Sequence, residues 1–275
     1  KKAAYESKQS AVSKVTNESP EYSSKHAEYT ASRNSYEDDD FTVTDDAGAS
    51  LSGTLDGGAS GDNSLTENSE DNDINITGTD SGDTDNINAF QNIGSIDAGA
   101  GDDDIVIDSA GPGMLTGDLS GGVGDRDELD YSNFTTDIQV DFEAGTASNI
   151  AGTVSNVEDA TGGSGNDLLR GDGADNNLNG AAGNDSIDGN GGSDTMTGGA
   201  GTDEFVWNNG DGSDTIDGNA GADDTLQVNT EGGDDVVDLR DNGGRLEIER
   251  TAGGSGFTLS VGTVEDLEFN LGEGD

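Results

Sequence analysis

The chain has no cysteine, only 11 Lys and Arg among 275 residues, and no long apolar run. The absence of cysteine excludes disulfide frameworks, thiol nucleophiles and zinc–thiolate sites. A membrane-spanning helix needs a stretch of about 18 or more apolar residues, so no membrane span is expected. Binding to nucleic acid requires a basic face that displaces counterions from phosphate, and so few bases cannot form one.

Hydrophobic residues are also scarce, whereas acidic residues are abundant. Hydrophobic residues make up 29% of the chain, and 59 Asp and Glu give a net charge of −48. Such a composition normally predicts disorder, because little apolar surface is available to offset the conformational entropy lost on folding. An ordered fold therefore needs a further source of stabilisation, and bound cations would supply one.

The basic residues are concentrated at the N-terminus. Residues 1–33 hold six bases against four acids, whereas the rest of the chain holds five bases against 55 acids. The composition changes near the acidic run at 38–40, and we interpret 1–40 as a basic, Ser- and Tyr-rich tail. Two roles stay open for this tail: a flexible or extended segment, or an arm that docks on a neighbouring copy.

A nine-residue repeat occupies 162–226, with glycine at the turn positions, Asp or Asn at the sixth position and an apolar residue at the eighth. The units are 162–170, 171–179, 180–188, 189–197, 198–206 and, after two inserted residues, 209–217 and 218–226. The sixth-position residues are Asp167, Asn176, Asp185, Asp194, Asp203, Asp214 and Asp223. The eighth-position residues are Leu169, Leu178, Ile187, Met196, Phe205 and Ile216, and Leu226 arrives one position late.

The repeat has a direct structural interpretation. Glycine permits the positive φ angles of a tight turn, and six turn residues leave three for a short strand with one inward apolar side chain. One unit cannot bury that side chain alone, so the units must stack, with two units in each coil and repeat i beside repeat i+2. Neighbouring strands lie about 4.8 Å apart, which would bring the sixth-position carboxylates into columns of like charge. A cation between successive turns removes the repulsion, and Asp and carbonyl oxygens are the ligands that Ca²⁺ prefers.

These residues resemble the RTX repeat, GGxGxDxUx, of calcium-binding parallel β-rolls. The resemblance implies that one loop binds calcium through its second- and fourth-position carbonyls and its Asp. The facing loop would add its first- and third-position carbonyls and its own Asp. Asn176 brings no charge, so the site that it shares with Asp194 is expected to be weaker. The expected facing pairs are Asp167–Asp185, Asp185–Asp203 and Asp194–Asp214.

Degenerate copies of the repeat at 98–106 and 121–129 place Asp103 and Asp127 in the same role. The resemblance therefore implies two kinds of calcium ligand, namely sixth-position side chains and backbone carbonyls. The side-chain ligands are Asp103, Asp127, Asp167, Asn176, Asp185, Asp194, Asp203, Asp214 and Asp223. The carbonyl ligands are Gly163, Gly165, Gly180, Ala182, Gly183, Gly189, Gly191, Gly198, Ala200, Gly212 and Gly221.

We predict an all-β fold, a parallel β-roll or β-solenoid with calcium stacked between Gly/Asp turns, flanked by β-rich segments and an irregular N-terminal tail. Residues 236–239 and 246–248 flank Asn242-Gly243-Gly244 and predict a β-hairpin. Residues 272–275 look like the opening of another calcium loop, left by truncation or completed by a neighbouring copy. The predicted divisions are the tail at 1–40, a β-rich, degenerate solenoid lead-in at 41–161, the β-roll at 162–226 and a hairpin-rich segment at 227–275.

No constellation of catalytic residues is evident, because the acidic residues keep phase with the glycine turns and the single histidine, His26, has no partner histidine. We expect a non-enzymatic, calcium-binding extracellular protein, such as an adhesin, a matrix or filament subunit, or a surface-layer protein. The alternative is the calcium-dependent RTX module of a secreted enzyme or toxin whose catalytic domain lies outside this chain.

The resemblance also implies partners and a location. It implies several bound Ca²⁺ ions and export by type I secretion machinery, and assembly with copies of the same chain is a further expectation. Bound calcium would cancel only part of the net charge. The remainder indicates a marine or saline exterior, where salt screens like charges over a few ångströms.

Overall fold

The computed structural model describes residues 13–15, 38–43, 51–58, 62–68, 70–108, 114–124, 126–220, 223–230, 236–242, 245–252 and 256–271. Every helix or strand element in these ranges is a β-strand, and most strand pairs are parallel. The predicted all-β parallel roll is confirmed. The predicted ligand Gly221, the loop at 272–275 and nearly all of the tail lie outside the described residues.

The strands form three sheets. From one edge to the other, the first sheet contains β1 (Ser13–Val15), β2 (Asp40–Val43), β4 (Ser64–Thr66), β8 (Ser95–Asp97), β10 (Leu119–Ser120) and β14 (Val154–Ser155). In the same sense, the second sheet contains β23 (Val236–Asp241), β24 (Leu246–Ala252), β25 (Thr258–Gly262), β21 (Thr215–Asn219), β19 (Thr195–Ala200), β17 (Asn177–Ala182), β15 (Asp159–Thr161), β11 (Glu128–Asp130), β9 (Asp104–Ile107), β5 (Asp73–Gly78), β6 (Ser81–Thr84), β7 (Ile87–Gln91) and β3 (Leu51–Asp56). The third sheet contains β13 (Thr146–Ala147), β12 (Gln139–Asp141), β16 (Leu168–Arg170), β18 (Ser186–Asp188), β20 (Glu204–Asn208), β22 (Thr225–Thr230) and β26 (Asp266–Leu271).

Across 162–226, successive repeats alternate between the third and second sheets. Leu169 pairs with Ile187, and Leu178 pairs with Met196, so repeat i lies beside repeat i+2 as the period predicts. The eighth-position side chains are fully or almost fully buried between the two sheets, which gives each coil an apolar interior. Stacking of the coils thus provides the burial that a single unit lacks.

The second sheet continues without interruption from the lead-in into the repeats. Ala160 pairs with Leu129 on one side and with Leu178 on the other. The first sheet covers the opposite side of the lead-in coils, and β1 extends it because Ser13 pairs with Phe41. The divisions drawn from the sequence stay predictions, since the sheet itself marks no break between 161 and 162.

The C-terminal strands continue the roll in both sheets. β23 and β24 form an antiparallel hairpin in which Asp241 pairs with Leu246, as the Asn-Gly-Gly turn signal indicates. β25 returns this hairpin to the second sheet by parallel pairing with β21, and β26 adds a parallel strand to the third sheet beside β22. Phe257 covers the inserted Trp207, with ring centroids 4.0 Å apart. Across the described ranges, no helix has the length and apolar character to cross a membrane.

Candidate metal centre

The sixth-position residues of the array sit at the junction of turn and strand, each immediately before a strand of the second or third sheet. Their side chains are almost fully enclosed, with exposed fractions of 1–3%. Enclosure of a carboxylate is costly unless it is hydrogen-bonded or bound to a cation. The residues before the third-sheet strands are Asp167, Asp185 and Asp203, and those before the second-sheet strands are Asn176, Asp194 and Asp214.

Backbone amides connect these residues into two columns. For all of them except Asp214, the N–H donates to the side-chain Oδ1 of the column residue in the next coil. In the regular part of the array the two residues joined in this way are 18 residues apart. The structure thus brings together the three expected Asp–Asp pairs and the expected pair of Asn176 with Asp194. The donor–acceptor distances are 2.8 Å for Asp167–Asp185, 2.9 Å for Asp185–Asp203, 2.8 Å for Asn176–Asp194 and 2.8 Å for Asp194–Asp214.

The second carboxylate oxygen lies over the first glycine of its own repeat. A Cβ atom added to Gly180 would lie 2.3 Å from Oδ2 of Asp185 and 2.8 Å from the carbonyl oxygen of Gly198. A Cβ atom on Gly189 or Gly198 would likewise lie 2.2 or 2.3 Å from the Oδ2 of its own repeat's Asp. Glycine at the first position therefore lets a carboxylate oxygen and the carbonyl oxygen of the next coil approach each other.

These Oδ2 atoms have no hydrogen-bond donor, although they are buried. Among the described residues, seven carboxylates in the two columns have a buried Oδ2 atom without a donor. Burial raises the pKa of Asp185 and Asp194 to about 7 and that of Asp127 and Asp214 to about 6, with neighbouring carboxylates adding to the shift. The seven are Asp103, Asp127, Asp185, Asp194, Asp203, Asp214 and Asp224.

The predicted carbonyl ligands that the structure describes lie in the turns beside these carboxylates or in the adjoining ends of β17 and β19. Gly183 has a φ of 134°, and a Cβ there would lie 1.7 Å from the carbonyl oxygen of Gly165 in the preceding coil. The carbonyls of Gly163 and Ala200 accept hydrogen bonds from Ala182 and Gly183, and each keeps a second lone pair. Gly191 donates its N–H to Asp172, and the Gly212 carbonyl accepts a 3.3 Å bond from the Trp207 indole.

Asn176 differs from the aspartates in a way that supports a weaker site. Its Nδ2 donates to the carbonyl of Glu158 at 2.8 Å, and its Oδ1 accepts the N–H of Asp172 at 2.9 Å. The amide is thus satisfied by protein groups, whereas Asp194 in the next coil retains an oxygen with no donor.

Asp223 was predicted as the last sixth-position ligand, but the structure places Asp224 and not Asp223 in the column. Asp223 is exposed and has a φ of 70°, whereas Asp224 is fully buried and its Oδ1 accepts the N–H of Asp203 at 2.9 Å. One extra residue in the turn shifts the acidic position, as the late arrival of Leu226 already indicated. Asp224 therefore takes the place that a strict nine-residue count assigns to Asp223.

In the lead-in, Asp103 and Asp127 extend the second-sheet column. The N–H of Asp103 donates to Oδ1 of Asp127 at 2.8 Å, and the N–H of Asn72 donates to Oδ1 of Asp103 at 2.7 Å. Asn72 was missed because its neighbour in the column is 31 residues away, outside any repeat. Glu158 and Glu265 were also missed, and each accepts the N–H of a column aspartate, Asp127 or Asp224 respectively.

The donor set fits a hard cation that takes ligands from side chains and backbone together. Within the described part of the chain, no group of three His, Cys, Asp or Glu side chains is placed to hold a metal ion by itself. Unpartnered carboxylate oxygens and turn carbonyls nevertheless converge at the glycine positions, and both are the oxygen ligands that Ca²⁺ prefers. The fold and this arrangement define a parallel β-roll whose turns present oxygen atoms suited to a cation.

Comparison with protein families agrees with this class. The model of the RTX calcium-binding nonapeptide repeat (4 copies) matches residues 157–186, 170–205 and 210–226. The chain therefore carries RTX repeats, a calcium-binding repeat typical of secreted proteins, between 157 and 226. No curated protein matched the chain in a sequence comparison. The individual calcium ligands stay predictions.

Proposed function

We propose that the protein is a non-enzymatic, extracellular structural module that folds when its two aspartate columns bind calcium. The observation that supports this most is the set of buried Oδ2 atoms without donors along both columns. In the ionised state these oxygens repel one another, and a divalent cation between turns would replace that repulsion with attraction. Ion binding that occurs only in the folded state contributes directly to the free energy of folding.

The way the carboxylates are held supports the proposed non-enzymatic role. Asp185 and Asp194 are fixed by backbone hydrogen bonds at regular intervals along the roll. A general acid–base pair instead needs two groups that face one substrate position. Carboxylates spaced regularly along a roll can instead bind several similar ions, as expected for a structural array.

Export and assembly form the finer part of the proposal. The chain would cross type I secretion machinery unfolded, at low cytosolic calcium, and fold in calcium outside the cell. Assembly on the cell surface, as an adhesin, a filament or matrix subunit, or a surface-layer protein, would use the tail as a docking arm. The opposite charge of residues 1–33 and the acidic body supports that contact.

Circular dichroism and light scattering of one sample test folding and assembly separately. Adding calcium to chelated protein should produce a β-sheet spectrum and then growth in scattering. Deleting 1–37 should leave the spectral change intact and abolish the growth. A β spectrum that is the same with and without calcium would overturn calcium-dependent folding, and assembly that persists after the deletion would exclude the docking arm.

The alternative, an RTX module of a secreted enzyme or toxin, predicts a different result. Such a module would show the calcium-dependent spectrum but remain monomeric at every calcium concentration. The sequence of the parent gene then decides, because a catalytic domain encoded in the same reading frame would establish the alternative.

A further inference from the structure

Two turns outside the nonapeptide pattern share a sequence and a conformation. Residues 156–159 read NVED and residues 263–266 read TVED, and an apolar residue follows each. Each begins with a non-glycine residue in the left-handed region, Asn156 with a φ of 51° and Thr263 with a φ of 40°. The two turns lead into strands of different sheets. Asp159 is the first residue of β15 in the second sheet, and Asp266 is the first residue of β26 in the third.

The glutamates of both turns make the hydrogen bond that an aspartate makes in the array. The N–H of Asp127 donates to Oε2 of Glu158 at 3.1 Å, and the N–H of Asp224 donates to Oε2 of Glu265 at 3.0 Å. The backbone N–H of each glutamate donates back to the carbonyl of that same aspartate, at 3.1 Å in both turns. Each glutamate therefore occupies the next place in its column.

The first residue of each turn supplies a carbonyl at the place where the array uses glycine. A Cβ on Gly121 would lie 1.9 Å from the carbonyl oxygen of Asn156 and 2.5 Å from Oδ2 of Asp127. A Cβ on Gly218 would lie 2.4 Å from the carbonyl oxygen of Thr263 and 2.2 Å from Oδ2 of Asp224. These two clusters repeat the arrangement of Asp185 Oδ2 and the Gly198 carbonyl around Gly180.

Both clusters contain a buried acceptor with no donor. Asp127 and Asp224 have exposed fractions of 1% and 0%, and the Oδ2 of each has no hydrogen-bond partner. A carbonyl oxygen that faces such an atom can only add to the repulsion, unless a cation lies between them. A nearby glutamate adds the charge that raises calcium affinity.

We propose that Glu158 and Glu265 each complete a calcium site outside the nonapeptide repeats, with Asp127 and Asn156 in the first and Asp224 and Thr263 in the second. The proposal rests on the proposed calcium binding by the columns. The Glu265 site would close the third-sheet column at its C-terminal end. The Glu158 site would connect the lead-in to the array, because the Glu158 carbonyl also accepts the Asn176 amide at 2.8 Å.

Calcium binding to the full chain, measured by equilibrium dialysis across a range of free calcium, tests the two sites. Glu158→Gln and Glu265→Gln keep the size and an acceptor oxygen but remove the charge. Each should weaken one site by about tenfold or more, because ligand charge sets calcium affinity. The double variant should show the loss of two ions at a calcium level that saturates the rest.

Two further variants separate the possible failures. Glu268→Gln removes an exposed charge from β26 and should bind as the unmodified chain does. Asp194→Asn removes a charge from the array and should weaken binding. If Asp194→Asn weakens binding but Glu158→Gln and Glu265→Gln match Glu268→Gln, the two glutamate sites are wrong. If Asp194→Asn also has no effect, calcium binding by the columns fails as well.

Discussion

The number of residues in one coil differs between the lead-in and the array. In the lead-in, the hydrogen-bonded column residues Asn72, Asp103 and Asp127 are 31 and 24 residues apart. In the array, Asp167, Asp185 and Asp203 are 18 residues apart. Individual strands differ in how many apolar side chains they bury. Ile74 and Ile76 of β5 are both fully buried, whereas the short strand β16 buries the single aliphatic residue Leu169. Apolar burial is therefore greater in β5 than in β16, although β20 of the array also buries two large side chains, Phe205 and Trp207.

The two regions also differ in how their buried polar groups are hydrogen-bonded. In the lead-in, the buried Glu67 accepts hydrogen bonds from Thr84 at 2.6 Å and from Asn86 at 3.2 Å, and Asn86 also donates to Asn72. In the array, Asp185 and its neighbours keep buried oxygens without donors. The lead-in also keeps buried oxygens without donors, on Asp103 and Asp127, but the array carries one at each of five column positions between 185 and 224. Calcium dependence should therefore be greatest in the array.

The largest effect is expected where two turns of the array touch. Gly201 has a φ of 150°, and a Cβ there would lie 1.5 Å from the carbonyl oxygen of Gly183. Gly201→Ala should cost about 3 kcal/mol or more, because it adds both strain and a backbone overlap. Gly173→Ala is the matched control, since a Cβ there meets nothing within 4 Å. Denaturant unfolding in saturating calcium measures both, and equal stability of the two variants would contradict the close contact between turns.

A substitution at Asp185 should act in opposite directions with and without calcium. Asp185→Asn removes a ligand charge between Asp167 and Asp203, so folding should require about tenfold more calcium. In metal-free protein the same change removes a buried, unpaired charge and should stabilise the fold. Asp62→Asn, at an exposed position in the lead-in, should change neither quantity. Calcium titrations measure the calcium needed for folding, and thermal melts of the chelated proteins measure the stability of the metal-free fold. A variant that is destabilised, or stabilised, under both conditions would contradict the prediction.

Metal-free protein should become more stable as pH falls. Burial raises the pKa of Asp185 and Asp194 to about 7 from an ordinary value of 3.8, so the folded state binds more protons than the unfolded state between these values. Stability should therefore decline as pH rises from about 4 to about 7. Calcium-loaded protein should show the opposite trend, because protons compete with the ion. Thermal melts at several pH values, with and without calcium, check both signs, and parallel pH profiles would count against carboxylate ligation.

The smallest effect is expected at an ion pair next to the boundary of the two regions. Arg126 donates three hydrogen bonds of 2.8–3.0 Å to Asp159, but its side chain is 54% exposed. The Asp159 side chain is only 9% exposed, but it keeps the Asn177 N–H as a second donor at 2.8 Å. Arg126→Gln should therefore lower stability by about 1 kcal/mol, equally with and without calcium. Arg240→Gln is the control for loss of an arginine charge away from the columns, because the Arg240 side chain is similarly exposed, at 55%. A calcium-dependent loss at Arg126 would show that the pair is coupled to the columns.

The array could be predicted closely from sequence because its apolar and acidic positions repeat in phase. That phase sets the parallel pairing of Leu169 with Ile187 and the facing of Asp167 and Asp185. The nine-residue count departs from the structure at Asp223, where one extra residue in the turn moves the column position to Asp224. Asn72 and Glu158 could not be predicted in this way, because their contacts join residues 31 apart through coils of irregular length.

Peptide-resolved amide hydrogen exchange, with calcium and after chelation, tests calcium-dependent folding most directly. Calcium binding by the columns predicts that chelation removes protection from the array strands β16–β22. Protection should persist longer in β5 and β9, each of which buries two isoleucine side chains. Equal protection of the array with and without calcium would contradict the claim that the aspartate columns fold this protein by binding calcium.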